Sequence, residues 1–114
     1  MKIWTNNKLT DLKDGPKEVK GGYFVSYNKL TSLDGLTHKI DGDLSISNNK
    51  LKNLKGVPNI VNGNFYITNN PIETLEYFPD KVMGDIYCTY TKHVNEKTIR
   101  KRCMVYGNIN LINK

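Results

Sequence analysis

Leu44-Ser45-Ile46-Ser47-Asn48-Asn49-Lys50-Leu51-Lys52-Asn53-Leu54 decides the fold, because the chain writes this pattern repeatedly at a constant interval. A step of 21 residues in either direction brings like residues into the same column without a gap. One column reads Asn7, Asn28, Asn49, Asn70, and the next reads Leu9, Leu30, Leu51, Ile72. Further columns read Leu12, Leu33, Leu54, Leu75, then Val19, Ile40, Val61, Val82, then Gly21, Gly42, Gly63, Gly84. Self-similarity at this period is the mark of a solenoid, in which each unit buries its apolar strip only by stacking on its neighbours. The units run over about 2–22, 23–43, 44–64 and 65–85, with a variant unit over 86–114. All 114 residues form a single domain on this reading.

Inside a unit, Leu44 and Ile46 alternate with Ser45 and Ser47, the two-residue period of a strand with one buried face. Tyr23 with Val25, Phe65 with Ile67, and Ile86 with Cys88 are the corresponding inward pairs. The first copy is eroded to Lys2 with Trp4, as expected of a terminal coil with one side in water. The Asn that follows each strand is expected to bond backbone groups left unpaired where the chain turns inward, four such residues forming a ladder. A Leu-x-x-Leu arc comes next, with Pro16, Pro58 and Pro79 in one column, which disfavours a full helix on the return. Asp41-Gly42, Asn62-Gly63 and Gly21-Gly22 then read as tight turns into the next strand. Asn62-Gly63 between apolar runs is also a hairpin signal, so a meander over residues 59–67 is the rival reading. The asparagine register favours the coil, with short extended segments on its convex side.

The pattern changes at Lys92, where Thr91 takes the Asn column and His93 stands in place of a Leu. Val94 to Tyr106 holds no Gly or Pro, which predicts a helix of about three turns with Ile99, Cys103 and Tyr106 on one face. Gly107-Asn-Ile109-Asn-Leu111-Ile-Asn113 then repeats Gly63-Asn-Phe65-Tyr-Ile67-Thr-Asn69, giving a sixth strand. The expected fold is an α/β-type repeat solenoid, mostly β, of five to six parallel strands with one C-terminal helix on the convex side.

Composition narrows function mainly by exclusion. The net charge is +6, but residues 1–90 hold eleven lysines against ten acids, and residues 91–114 hold six basic residues against Glu96 alone. Basicity is therefore a C-terminal feature. No apolar run approaches the roughly 18 residues that span a bilayer, and the start lacks a signal peptide's apolar stretch, so a cytoplasmic protein is expected with no membrane partner. Cys88 and Cys103 lack metal-ligand or redox spacing and are read as free, mostly buried thiols. His38 and His93 lie in unrelated columns, and no carboxylate pair, phosphate loop or Ser-His-Asp grouping stands out. The chain is not expected to be an enzyme or to carry a cofactor or metal.

With Leu44-x-Ile46-x-x-Asn49-x-Leu51-x-x-Leu54 in hand, residues 2–91 resemble the leucine-rich repeat family. The closest likeness is to short bacterial and phage repeats, carried here by Asn28-Lys-Leu-Thr-Ser-Leu-Asp-Gly35 and Lys55-Gly-Val-Pro58. The resemblance implies a curved parallel sheet whose concave face binds protein. The phage-like form further implies a virus-encoded inhibitor of a host enzyme or defence protein, acting in the host-cell cytoplasm. The ligase domain and dedicated caps of larger members are missing, so ligase activity is not expected.

In that geometry Ile3, Phe24, Ser45, Tyr66 and Tyr87, then Thr5, Ser26, Ser47, Thr68 and Thr89, line the concave face. Phe24, Tyr27, Tyr66, Tyr87 and Tyr90 are the candidate partner-binding residues, aromatic anchors among small hydroxyls with almost no charge. The structural alternative is that cross-strand aromatics stabilise the sheet by pairing, and the two roles are compatible. Lys97, Arg100, Lys101 and Arg102 are the candidate electrostatic residues, steering a protein partner or gripping phosphate; a solvated helix face is the plainer explanation. Nucleic-acid binding through these and the row Lys8, Lys29, Lys50, Lys92 is the alternative function. Self-association through open sheet ends at the Trp4 and Ile109 strands is a third.

Overall fold

The computed structural model describes residues 1–112. Six short strands form one parallel sheet: β1 (Lys2–Ile3), β2 (Tyr23–Phe24), β3 (Leu44–Ser45), β5 (Phe65–Tyr66), β7 (Ile86–Thr89) and β9 (Ile109–Ile112), in that order. A second parallel sheet on the opposite side of the coil holds β4 (Ile60–Val61), β6 (Lys81–Val82) and β8 (Met104–Val105). A Val19–Ile40 bridge carries that side back toward the first coil. Register follows the repeat: Lys2, Tyr23, Leu44, Phe65, Ile86 and Ile109 stand side by side. The meander is excluded, because β4 and β5 belong to different sheets instead of pairing across Asn62-Gly63.

The core is the column of inward residues between the sheets. Leu12, Leu33 and Leu54 are fully or almost fully buried, as are Val25, Ile46, Ile67 and Cys88 from the strands. Leu36, Val57 and Phe78 share a column whose first member is Gly15. The phenol of Tyr23 fills the space left there, with its hydroxyl 2.9 Å from where a Gly15 side chain would begin. That hydroxyl is buried without a hydrogen-bond partner among the described residues, and burial pushes its pKa up to about 12.

Two polar ladders tie the coils together. In the asparagine ladder, Asn28 Oδ1 accepts from the Asn7 and Leu9 N–H groups at 2.8 and 3.0 Å. Its Nδ2 donates to the Trp4 and Val25 carbonyls. Asn49 accepts from Leu30 N–H and donates to the Val25, Ile46 and Ser47 carbonyls. Asn70 accepts from Leu51 N–H and donates to Ile46. Each amide thus satisfies inward-facing backbone groups of its own and the preceding coil. The Asn7 side chain is exposed and bonds locally to Thr5, so the side chains of three of the four asparagines span coils.

The second ladder runs along the other rim of the same sheet. Asp43 Oδ1 accepts from Asn64 N–H at 2.7 Å, Asn64 Oδ1 from Asp85 N–H at 2.8 Å, and Asp85 Oδ1 from Asn108 N–H at 2.8 Å. These oxygens lie 2.3, 2.3 and 2.0 Å from where side chains on Gly63, Gly84 and Gly107 would begin. The glycine column is therefore required by close approach of a neighbouring coil. Asp41-Gly42 and Asn62-Gly63 do bend the chain into the next strand, but their glycines are set by this close approach and not by a left-handed backbone, since only Gly21, Gly35 and Gly56 take positive φ.

The fifth coil replaces the arc by α1 (Glu96–Arg102). Asn95 caps it through a capping box with Thr98, at 3.0 and 3.1 Å in the two directions. The helix is about two turns, shorter than the expected span to Tyr106. Cys103 is already extended, and Met104–Val105 pair with Lys81–Val82. Sheet pairing with the preceding coil overrides helix propensity here. Ile99 and Cys103 are buried as expected, but Tyr106, beyond the turn to β structure, is 60% exposed. The longer arc accounts for the change in spacing from 21 to 23 residues between Ile86 and Ile109.

Candidate functional site

Alternation along the strands sends one set of side chains outward from the six-stranded sheet. The central outward row is Phe24, Ser45, Tyr66, Tyr87 and Asn110, in register from β2 to β9. Tyr66 and Tyr87 stack with ring centroids 4.7 Å apart and planes within 7°. That is the spacing of adjacent strands, so the pair is a product of the register. Ser45 is buried between Phe24 and Tyr66, and its hydroxyl lies 2.5 Å from that of Ser26. On the following row Ser47 Oγ receives the Thr68 N–H and hydroxyl at 3.1 and 3.0 Å. Thr89 Oγ1 accepts from Asn69 N–H. The small hydroxyls expected on this face are thus largely engaged in knitting coils together.

The aromatic rings lean toward the Asp43–Asn64–Asp85 rim. Asn64 Nδ2 donates to the Tyr66 hydroxyl at 3.3 Å, and the Phe24 ring sits over Gly22, 2.6 Å from where a side chain there would begin. Desolvation raises the Tyr87 pKa, helped by the negative charge of Asp85, by Tyr66, and by Asp43. The expectation of a nearly uncharged face is therefore corrected: two carboxylates border the tyrosine pair. Their column was legible as Asp43, Asn64, Asp85, but turn chemistry was the obvious reading of residues beside a glycine.

Tyr27 and Tyr90 lie at the other end of the strands, 59% and 50% exposed. Tyr27 has φ of 57° in a column where other coils place Asn6, Asn48 and Asn69 at similar angles. Asparagine tolerates this left-handed conformation, whereas an aromatic residue there costs about 1 kcal/mol or more. Tyr90 escapes it because β7 continues, its N–H donating to the Ile112 carbonyl. Lys8, Lys29, Lys50 and Lys92 are all exposed on this rim. A groove of about 350 Å³ opens beside it, lined by Asn69, Asn70, Pro71, Ile72, Thr89 and Thr91, where the asparagine ladder stops.

The basic helix is a different kind of feature. Arg102 donates to the Glu76 and Phe78 carbonyls at 3.1 and 2.8 Å and pairs with Asp80 at 3.1 Å. Arg100 donates to the Val105 and Gly107 carbonyls and pairs with Glu96. The Arg102 guanidinium clamps the variant coil onto the fourth coil, whereas Arg100 ties the helix to the end of its own coil. Lys97 and Lys101 remain exposed, with no ion-pair partner among the described residues. These four residues lie on the return arc, apart from the tyrosine row on the first sheet.

Cys88 and Cys103 are buried free thiols, and burial pushes their pKa values up to about 12 and about 11. No helix among the described residues is long and apolar enough to cross a membrane. No protein-family model matches the chain, and no curated protein and no solved structure matches it either.

Proposed function

We propose that the chain is a protein-binding module of leucine-rich-repeat type, which occludes or adapts a protein partner through the outward face of the six-stranded sheet. Carrying the proposal is the aromatic row: Phe24 and the stacked Tyr66–Tyr87 pair stand partly exposed on a rigid parallel ladder, flanked by exposed Tyr27 and Tyr90. Rigid aromatic groups of this kind offer large contact area at low conformational cost. Tyr27 adds weight, because its strained backbone supports an exposed ring that the packing does not need. Action as a phage-encoded inhibitor is the form of this proposal that the repeat resemblance favours.

Replacing both Tyr66 and Tyr87 by Ala removes the centre of the surface while leaving the buried inward row untouched. Partners captured from the native host's lysate and identified by mass spectrometry are expected to disappear with the double variant. Retention of the same set at the same yield would remove the outward face from consideration.

A further inference from the structure

The outward face carries a charge that neither its fold nor the composition of the chain requires. Asp43 and Asp85 each commit one oxygen to the N–H of the next coil, leaving the second oxygen for other contacts. Asn64, between them, makes the same ladder bond with a neutral amide. The ladder therefore does not depend on the negative charges. No Lys, Arg or His among the described residues lies within ion-pair distance of either carboxylate, in a chain of net charge +6. Both carboxylates share a strand face with the aromatic row, Asp43 beside Ser45 and Asp85 beside Tyr87. Tyr87 has a small polar neighbour, Asn110, on its other side, so one ring face is not stacked against an aromatic.

We propose that this face receives a basic, extended segment of the partner protein, whose arginine or lysine side chains meet Asp43 and Asp85 against the Tyr66–Tyr87 rings. The inference rests on the outward face being the binding surface. A cation there gains both a carboxylate and a π-face, each more effective where water is partly displaced. Asp43 and Asp85 are two coils apart, about 10 Å at the usual strand spacing. That is about the reach from residue i to i+3 of an extended chain, which sets the expected spacing of the two cations. The lysine rim on the far side of the strands gives the face a sign difference across its width, which fixes the orientation of such a segment.

The test uses the full chain, isotopically labelled, titrated with two Gly/Ser decapeptides. One carries Arg at positions 4 and 7, and the other carries Gln at both. The arginine peptide is expected to shift the amide resonances of Asp43, Tyr66, Asp85 and Tyr87, with an effect that weakens in salt, while the glutamine peptide does not. Asp43→Asn with Asp85→Asn keeps both ladder acceptors and is expected to weaken binding about tenfold or more at unchanged melting temperature. Equal response to the two peptides, response to neither, shifts confined to the lysine rim, or unchanged affinity in the double Asn variant each overturns the inference. Capture of the native partner by the two double variants separates this inference from the one beneath it. If the double Asn variant still captures the native partner and Tyr66→Ala with Tyr87→Ala does not, only the cationic segment is refuted; if both variants capture it, the binding face falls as well.

Discussion

Residues 44–64 and 86–108 are the same coil built in two ways. Each delivers a strand to the first sheet, each reaches the second sheet, and each ends on a Gly-Asn rim whose Asn N–H donates to an Asp carboxylate of the preceding coil. Between these fixed points the third coil uses Asn49, Leu51, Leu54 and Val57, whereas the fifth uses Thr91, Val94, Ile99 and Cys103 on a helical arc. The stack thus specifies the strands and the glycine rim closely, and asks of the arc only apolar groups and sufficient reach. Attachment differs too. Asn49 binds inward backbone of two coils, while the Thr91 hydroxyl accepts only from His93 and Val94 of its own turn. From outside, Arg102 ties the fifth coil to the fourth instead.

The largest effect is expected from Asn49→Ala, which leaves several buried backbone groups without partners and costs about 3 kcal/mol or more. Thr91→Ala is expected to cost about 1 kcal/mol, because its hydroxyl accepts two local bonds, that from His93 being exposed. Denaturant midpoints of the two variants measure the contrast directly, and equal losses would break it.

Arg102→Ala is expected to cost about 2 kcal/mol, by freeing the Glu76 and Phe78 carbonyls and loosening the helix from the fourth coil. Arg102→Lys is expected to recover little, since one ammonium does not reproduce the planar fork that spans two carbonyls and a carboxylate. Hydrogen exchange should show protection lost first in α1 and β8. Uniform loss across all coils would mean that the clamp is not local.

A smaller effect comes from alkali. Cys88, Cys103 and Tyr23 are acids whose folded pKa values are raised, so the stability they contribute is complete below their unfolded values near 9 to 10. It is lost as pH rises toward about 12, with Cys88 showing the widest gap. Both regular and variant coils are affected, because Tyr23 sits in the second coil and Cys88 and Cys103 in the fifth. Tyr23→Phe is expected to gain about 1 kcal/mol at neutral pH by removing the unpartnered hydroxyl, and to soften the alkaline decline. Melting temperature against pH for the two proteins tests this, and a parallel decline would refute it.

The residues that repeat were the residues that could be read. Asn28, Asn49 and Asn70 announce their partners because the coil one period away is always the neighbour, so spacing in sequence becomes adjacency in space. The same logic hid Asp43, Asn64 and Asp85, whose column alternates between two residue types and sits where turns are common. Non-repeating residues were less legible still. Arg100 and Arg102 read as a charged helix face, and only the carbonyls of the fourth coil show Arg102 to be a clamp, while Arg100 bonds Val105 and Gly107 of its own coil.

By itself the sequence determined the period, the parallel register, the inward columns and the asparagine ladder, because in a stacked coil each of these is a relation between a residue and its own copy. The tertiary structure alone decided where the helix stops, since Met104 and Val105 gain a strand partner in β6 that no local preference encodes. It also decided that the tyrosines lean on an acidic rim, because that depends on how side chains of different columns share one crowded sheet face.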